Sequence, residues 1–503
     1  MKIAFVRVLG RDRYDSNTAD HNVGLGYLAA VAKLEGATPI ILDPYDPLKE
    51  TRDDILLESK YNIVGFTVHY MNVEKTLEIA QLIKIKFPET IIVLGGHHVS
   101  TTATEILNDH AYIDAVCVGE GEDVIKKMIS KLRKGETATQ IRKKGIFTPS
   151  SYPDLDRLPF PIRNTSLPIA RISTSRGCPY SCTFCTTPAL RDLIKEPTYR
   201  SRSASSVVDE MEELYSNGVR NVHINDDLYA MPNPGSHARV SEIADELLKR
   251  NIQLEYKTQL RVDSFSLKDF QLLQHLKRSG LKSVFIGVES GNDSILEEYD
   301  KRITVSQCIH ILNMYHQVGI EVNSGNILAS PNSNLEEICD SIKGFHRMGT
   351  AYLFFRRVTF RAHVFPGTVL ERRLENEKRL ENKPRYLPRD YTFLDPRIDE
   401  IVKMFETIMP DFLKDIGAEL FQLRNKALKL YYSRQNRDDE SKLMPIFSEW
   451  NDKSAQLLLN WFDDSSTRKL ETRNFRQEFA EYTNFARETK AKLANFVEMG
   501  SEG

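Results

Sequence analysis

The stretch IARISTSRGCPYSCTFC, residues 169–185, runs an apolar, alternating segment directly into a loop holding Cys178, Cys182 and Cys185. The first part reads as a strand. The loop has the spacing Cys-x3-Cys-x2-Cys and takes half of the chain's six cysteines. A disulfide framework uses even numbers spread along a short secreted chain. A structural zinc site uses four ligands, commonly in two Cys-x-x-Cys knuckles. The next cysteine, Cys308, lies far along the chain. The spacing therefore describes a metal cluster left one protein ligand short.

Composition is compatible with that reading. A chain of 503 residues has room for about three domains. Hydrophobic residues make up 41% and charged residues 27%, with a formal net charge of −2, so no charge excess points to nucleic acid or an anionic membrane as a partner. No apolar run approaches the roughly 18 residues of a membrane span. The opening MKIAFVRVLG alternates like a strand and lacks a signal-peptide pattern. The expectation is a cytoplasmic chain, whose thiols hold metal more readily than they pair. No solenoid-type repeat is present.

Before residue 140, buried-strand patterns alternate with helical ones. KIAFVRV, TPIILDP, NIVGFTVHY, TIIVLGGHHVS and IDAVCVGEGED read as strands with their following loops; VGLGYLAAVAKLEG and VEKTLEIAQLIKIKFP read as helices. Such alternation implies a parallel sheet, whose ligands lie beyond the carboxyl ends of its strands. Small or polar residues stand at three of those ends, at 67–70, 95–98 and 119–122. They either let a bulky ligand approach the backbone or simply make tight turns. The stretch QIRKKGIFTPSSYPDLDRLPFPIRN has the composition of a linker.

The middle third repeats the alternation. IARISTSRG, VRNVHINDD, IQLEYKTQL, LKSVFIGVES, IEVNSGNILAS and AYLFFRRVTF are six strand candidates separated by helical stretches. Six strand–helix units suggest an open barrel with its chemistry at the strand C-terminal ends. Those ends carry the cysteines, Asp226, Asp227, Arg261, Glu289, Ser324 and Asn326.

The three cysteines, with Phe184 just before the last, resemble the signature of the radical S-adenosylmethionine enzymes. The resemblance implies three thiolates on three irons of a four-iron, four-sulfur cluster. The open iron then chelates S-adenosylmethionine, which reductive cleavage turns into a 5′-deoxyadenosyl radical. A fourth cysteine would block that iron, which explains the missing ligand. GVES, 287–290, resembles the family's ribose-binding strand, with Glu289 accepting from ribose hydroxyls. GNILASPN, 325–332, resembles the adenine-side pattern through Gly325 and Ile327, but Ala329 and Asn332 replace its second Gly and its Glu. The family's Gly-Gly-Glu is absent; INDD stands there, offering Asp226 or Asp227 to the methionine amino group or the substrate. Arg261 suits the methionine carboxylate. Taken singly, Glu289 and Arg261 are equally readable as members of structural ion pairs.

The first third resembles the cobalamin-binding domain that precedes the barrel in one branch of this superfamily. Thr67, Gly95 and Gly96 would line the pocket for the nucleotide tail, and Val68, His69, Tyr70, Asn72, His97, Gly119 and Glu120 would complete the cobalamin site. Many cobalamin proteins carry Asp-x-His-x-x-Gly, whose His binds cobalt; here Asp20 and His21 are adjacent in DHNVG, so the spacing fails and His21 reads as a loop residue. That leaves His69 or Tyr70 as candidates for the lower face, and His97 and His98 as ligands or loop residues.

The expected organisation is α/β: a doubly wound, Rossmann-like cobalamin-binding domain over 1–140, a linker over 141–165, a partial (β/α)6 barrel of the TIM type over 166–365, and a helical domain over 366–503. In the last segment TVLERRLENEKRLENK reads as a solvated helix, and Arg356, Arg357 and Arg361 as receivers of an anionic substrate or a salt-bridged rim. The implied activity is methylation of an unactivated carbon of a small-molecule or natural-product precursor, with an electron from a donor such as flavodoxin or ferredoxin. A radical rearrangement, cyclisation or dehydration without methyl transfer is a second implied activity, and an electron-transfer or sensing protein a third.

Overall fold

The computed structural model describes residues 1–9, 22–45, 53–163, 169–195, 197–356, 361–434, 437–462 and 475–501. The chain divides into two compact units. The first comprises Met1–Tyr229, Asp245–Tyr256 and Val364–Asp390; the second comprises Ala230–Ala244, Lys257–His363 and Tyr391–Gly503.

The first unit is built on a parallel sheet of β1 (Lys2–Val8), β2 (Thr38–Tyr45), β3 (Ile63–Thr67), β4 (Ile91–Gly95), β5 (Ala115–Cys117) and β6 (Ile146–Phe147), in the order β2-β1-β3-β4-β5-β6. Because the order reverses at β1, a crevice opens beyond the carboxyl ends there. Register puts Phe5 opposite Gly65 and Gly65 opposite Val93, in one row on one face. Helices Val23–Leu34 and Glu122–Arg133 cover that face, packing Leu25, Ala29, Val124, Ile125 and Met128 with Phe5 and Val93. Val73–Lys86 and Ala103–Asp109 cover the other, with Leu77, Ala80 and Ile106 against Val64, Phe66 and Ile92. The first helix starts where Asn22 Oδ1 accepts from the Leu25 N–H at 3.1 Å, an ordinary N-cap.

β6 falls inside the stretch expected to be linker. Its two apolar residues pair with β5, Val116 opposite Ile146 and Cys117 opposite Phe147; so short a strand leaves no periodicity to read. Residues 164 and 165 of that stretch lie outside the described residues.

The first unit also holds the parallel pair β7 (Ile169–Ile172) and β10 (Asn221–Ile224), and the antiparallel ribbon β8 (Ser175–Arg176) with β9 (Arg200–Ser201). The start of β11 (Glu255–Arg261) lies beside β10, where the Glu255 N–H donates to the Arg220 carbonyl at 2.9 Å. Helix Val369–Asn376 is not the solvated helix its charge density suggests: Leu370, Glu371 and Leu374 are buried. Arg385 and Arg389 both ion-pair with Glu371, which compensates burying that carboxylate.

In the second unit β11 continues beside β12 (Leu281–Glu289) and β13 (Glu321–Asn326), with a bulge between Gly287 and Glu289. Thr304 and Asn334 open the helices Val305–Val318 and Leu335–Arg347 through capping boxes with Gln307 and Glu337. The architecture is the expected one, an α/β chain with a Rossmann-like parallel sheet, partial-barrel strands and C-terminal helices. The sixth barrel strand candidate differs. Ala351–Arg356 is a 3₁₀ helix, because Phe354 meets Phe345 at 4.9 Å while the adjacent Phe355 stacks on Tyr482 at 4.3 Å. A short apolar run buried on several sides cannot be told from a strand by pattern alone. Arg357 lies outside the described residues. Helix Arg437–Phe462 carries Pro445, which argues against a helix when read from sequence; the buried Trp450 and Trp461 hold it.

Candidate functional site

One cavity of about 340 Å³ opens at the carboxyl edge of the first unit's sheet and runs back along its face. Its inner part is an apolar slot lined by Phe5, Leu28, Ile63, Val93, Ile125 and Met128. Residue 65 leaves room in the slot by having no side chain: a Cβ there would lie 3.5 Å from the Phe5 ring, in van der Waals contact. Glycines also shape the mouth. Gly96 has φ +113, and a Cβ on it would sit 2.8 Å from the Val68 carbonyl oxygen; no other residue holds that conformation without strain.

Six of the ten residues expected at the cobalamin site line this cavity: Thr67, Gly95, Gly96, His97, Gly119 and Glu120. Val68, His69, Tyr70 and Asn72 do not. Val68 and Asn72 are buried, and the Asn72 side chain is spent locally, accepting from the His69 N–H at 2.7 Å and donating to the Val8 carbonyl at 3.0 Å. Tyr70 meets the edges of His98 and Phe365. His69 is exposed, yet loss of hydration by the surrounding atoms first, then Arg7, His97 and His98, push its pKa down to about 4, so it is neutral at pH 7. His98 is buried with Nε2 facing the Tyr386 carbonyl at 2.8 Å. Asp20 and His21 lie outside the described residues.

The cavity mouth reaches the cysteine loop. Arg176, Gly177, Thr187 and Asp227 line it. Gly177, at φ +86, is required because a Cβ would lie 2.7 Å from the Thr198 carbonyl. The loop is then pinned by Arg191, which donates to the carbonyls of Cys178 at 3.1 Å and Tyr180 at 3.2 Å. The Leu370 N–H donates to Thr183 at 2.9 Å, beside Phe184, and Cys185 leads into helix Thr186–Ile194. None of the six cysteines is in a disulfide. Burial first, with Cys182 and Asp227 adding to it, raises the Cys185 thiol to about 11, a proton that iron displaces on binding. Among the described residues no three His, Cys, Asp or Glu converge on a point suited to one metal ion, whereas a four-iron cube takes its thiolates at separate corners. The donor set fits the cluster.

The two adjacent aspartates separate. Asp226 is buried and accepts from the Thr174 N–H at 2.7 Å and the Thr174 hydroxyl at 2.5 Å. Asp227 is exposed and lines the cavity, accepting weakly from the Gly177 N–H at 3.2 Å. Asp227 is therefore the one able to meet a ligand.

In the second unit Glu289 ends β12 with φ +70, a conformation that costs on the order of 1 kcal/mol for a side chain with a Cβ. Its carboxylate lies over Gly287 and Gly325: a Cβ at Gly287 would collide with Oε1, and one at Gly325 would come within 3.5 Å of Oε2. Buried Lys301 ion-pairs with it at 2.9 Å. The Ile327 N–H donates to the Glu289 carbonyl at 2.7 Å, so Ile327 is held beside it. Ser324 and Asn326 are buried on β13, and Ser324 Oγ has no hydrogen-bond partner among the described residues. Arg261 is already engaged, by Asp263 at 2.8 Å and the Lys301 carbonyl at 2.5 Å. Asn332, which departs from the family pattern, donates to Glu298 at 2.8 Å. Arg361 pairs with Glu406 at 2.9 Å, which favours the salt-bridged rim.

Sequence reading passed over Gly65, Leu28, Met128 and Arg176. A lone glycine within the strand pattern IVGFT is a signal of close approach; the others carry none by themselves.

Comparison with known proteins gives matches to both halves of this arrangement. The radical SAM superfamily matches residues 172–343, and the B12 binding domain matches residues 17–129. An uncharacterized methyltransferase of Pyrococcus horikoshii is 27% identical over 69% of this chain and 77% of its own length. The anaerobic magnesium-protoporphyrin IX monomethyl ester cyclase of Rubrivivax gelatinosus is 26% identical over 63% of this chain and 60% of its own. Among solved structures, the cobalamin-dependent S-adenosylmethionine radical enzyme OxsB, with aqua-cobalamin and S-adenosylmethionine bound, superposes with a TM-score of 0.69 at 16% identity, over 100% of this chain and 80% of that one.

Proposed function

The chain belongs to the radical SAM enzymes that carry a B12-binding domain, and from that premise we propose that it methylates an unactivated carbon of a small-molecule or natural-product precursor. Its cofactors are a four-iron cluster, S-adenosylmethionine and cobalamin. Together these groups supply a carbon-centred radical and a methyl group to meet it. The observation that carries the reading is one cavity, apolar at its inner end and edged at its mouth by Arg176, Gly177 and Asp227 next to the cysteine loop.

The chain's own residues then have distinct tasks. Cys178, Cys182 and Cys185 hold three irons and leave the fourth position open. The slot beneath Gly65 would receive the flat, apolar base of the cobalamin tail. Glu120, in the cavity wall and held by Arg176 and Arg200, would offer a further carboxylate lone pair to an amide of the cobalamin. Glu289 accepts from the ribose hydroxyls, beside Ile327 on the adenine. A flavodoxin- or ferredoxin-type donor supplies the electron.

Glu289→Gln keeps the size and removes the charge, and is expected to weaken S-adenosylmethionine binding by on the order of 1–3 kcal/mol with iron content unchanged. It also leaves buried Lys301 without a counter-charge, so the melting temperature falls. Adding Lys301→Met removes the second charge and restores the melting temperature without restoring affinity. Unchanged affinity in Glu289→Gln would reduce the pair to a structural ion pair.

The cyclase relative favours a second reading, radical chemistry without methyl transfer. The two differ in products. Under anaerobic reduction, methyl transfer is expected to form S-adenosylhomocysteine in proportion to bound cobalamin, together with 5′-deoxyadenosine. Deoxyadenosine with no S-adenosylhomocysteine at any cobalamin loading would select the second reading.

A further inference from the structure

The cavity and the cysteine loop are joined by charge. Arg176, on β8 two residues before Cys178, meets Glu122 at 2.6 Å and Glu120 at 3.0 Å. Arg200, its partner across the β8–β9 ribbon, also ion-pairs with Glu120. Both glutamates belong to the turn after β5 that walls the cavity, and Tyr27, also in the wall, has the Arg176 guanidinium over its ring at 5.3 Å. The four charged side chains are between 7% and 19% exposed, so salt screens them little and each depends on the others. Burial opposes the charge on Glu122, but Arg176, a backbone N–H and Arg200 together outweigh it and hold that carboxyl below its ordinary range.

This turn is thus addressed from two sides. Glu120 and Glu122 line the cavity together with Arg176, and both Glu120 oxygens are engaged, Oε1 by Arg200 and Oε2 by Arg176 at 3.0 Å, so a cavity ligand packed on this wall fixes the turn and Arg176 together. Arg176 carries the position of the turn to Gly177 and Cys178, where the cluster is held. We infer that Arg176, supported by Arg200, is a positioning residue that couples the two cofactor sites: a filled cavity orders the cysteine loop, and a loaded loop tightens the cavity. Thermodynamic linkage makes the effect reciprocal. The inference rests on the cavity being the cobalamin site and not on methyl transfer.

The test is an anaerobic absorbance titration of the full chain with aquacobalamin, once with the cluster reconstituted and once after chelation of the iron. The wild type is expected to bind about tenfold more weakly without the cluster, whereas Arg176→Gln binds more weakly in both forms and differs by no more than about twofold between them. Arg176→Lys keeps the charge but not the fork and retains part of the difference. Glu122→Gln breaks the same contact from the other side and serves if Arg176→Gln does not fold. A merely structural role would lower melting temperature and affinity while the tenfold difference survived in both Gln variants. That result, or equal affinities in the two wild-type forms, overturns the coupling and leaves the cavity assignment standing. A wild type that binds no aquacobalamin in either form overturns the assignment and the coupling together.

Discussion

Alanine at Cys178, Cys182 or Cys185 is expected to abolish the four-iron cluster or leave it incomplete, and to end deoxyadenosine release. With three thiolates on three irons there would be no spare ligand, so the loss of any one is expected to end the chemistry even where some iron remains. The remaining cysteines have other surroundings. Burial pushes the thiols of Cys117 and Cys308 up to about 12, and Cys339 directs its sulfur to the Phe462 carbonyl at 3.4 Å. They behave as small apolar side chains, and their alanine variants are expected to keep full iron content. Iron and sulfide analysis with the cluster's absorbance decides the matter. A Cys308 variant that lost iron as completely as a Cys182 variant would refute the three-ligand centre.

Gly65→Val is expected to remove cobalamin binding while sparing the fold. The backbone at 65 is ordinary strand, and the nearest atoms to a Cβ there are the Phe5 ring at 3.5 Å and the Ala4 carbonyl oxygen at 3.9 Å, ordinary contacts, so valine, a good strand former, is accommodated. Its methyl groups then fill the slot between Phe5 and the covering helices. A loss of about a hundredfold, ~2.8 kcal/mol at about 1.4 kcal/mol per decade, is expected by absorbance titration, with the melting temperature unchanged or raised. Gly65→Ala should lose less. Full cobalamin affinity in Gly65→Val would mean that the tail lies elsewhere.

Much of this was legible in the residues and some was not, for physical reasons. The parallel sheet was legible because strands buried on both faces read as apolar runs between helical periods, and the cysteine loop because its spacing excludes the commoner metal and disulfide patterns. Asp226 and Asp227 were indistinguishable, being adjacent and chemically alike; only Thr174, far along the chain, shows which one turns inward. The Arg176 contacts join residues more than fifty positions apart, beyond any local pattern. Phe354 and Phe355 misread as strand because an apolar run does not say which neighbours will bury it. Gly65 was the one available signal left unread, a glycine where a strand gains nothing from it.

The most direct test of the account is the spin-resonance spectrum of cob(II)alamin bound to the chain. A tail base held in the slot beneath Gly65 would be kept from the cobalt. His69, although neutral, stands outside the cavity lining, so no axial nitrogen is expected and the spectrum should be base-off, without nitrogen splitting. His97, which does line the cavity, is the residue best placed to break this expectation, since imidazole is a good ligand for transition metals. Nitrogen splitting that persisted in His97→Ala and His69→Ala would mean that the base sits on cobalt and the slot is empty of it, contradicting the account; an unsplit spectrum is what the slot predicts.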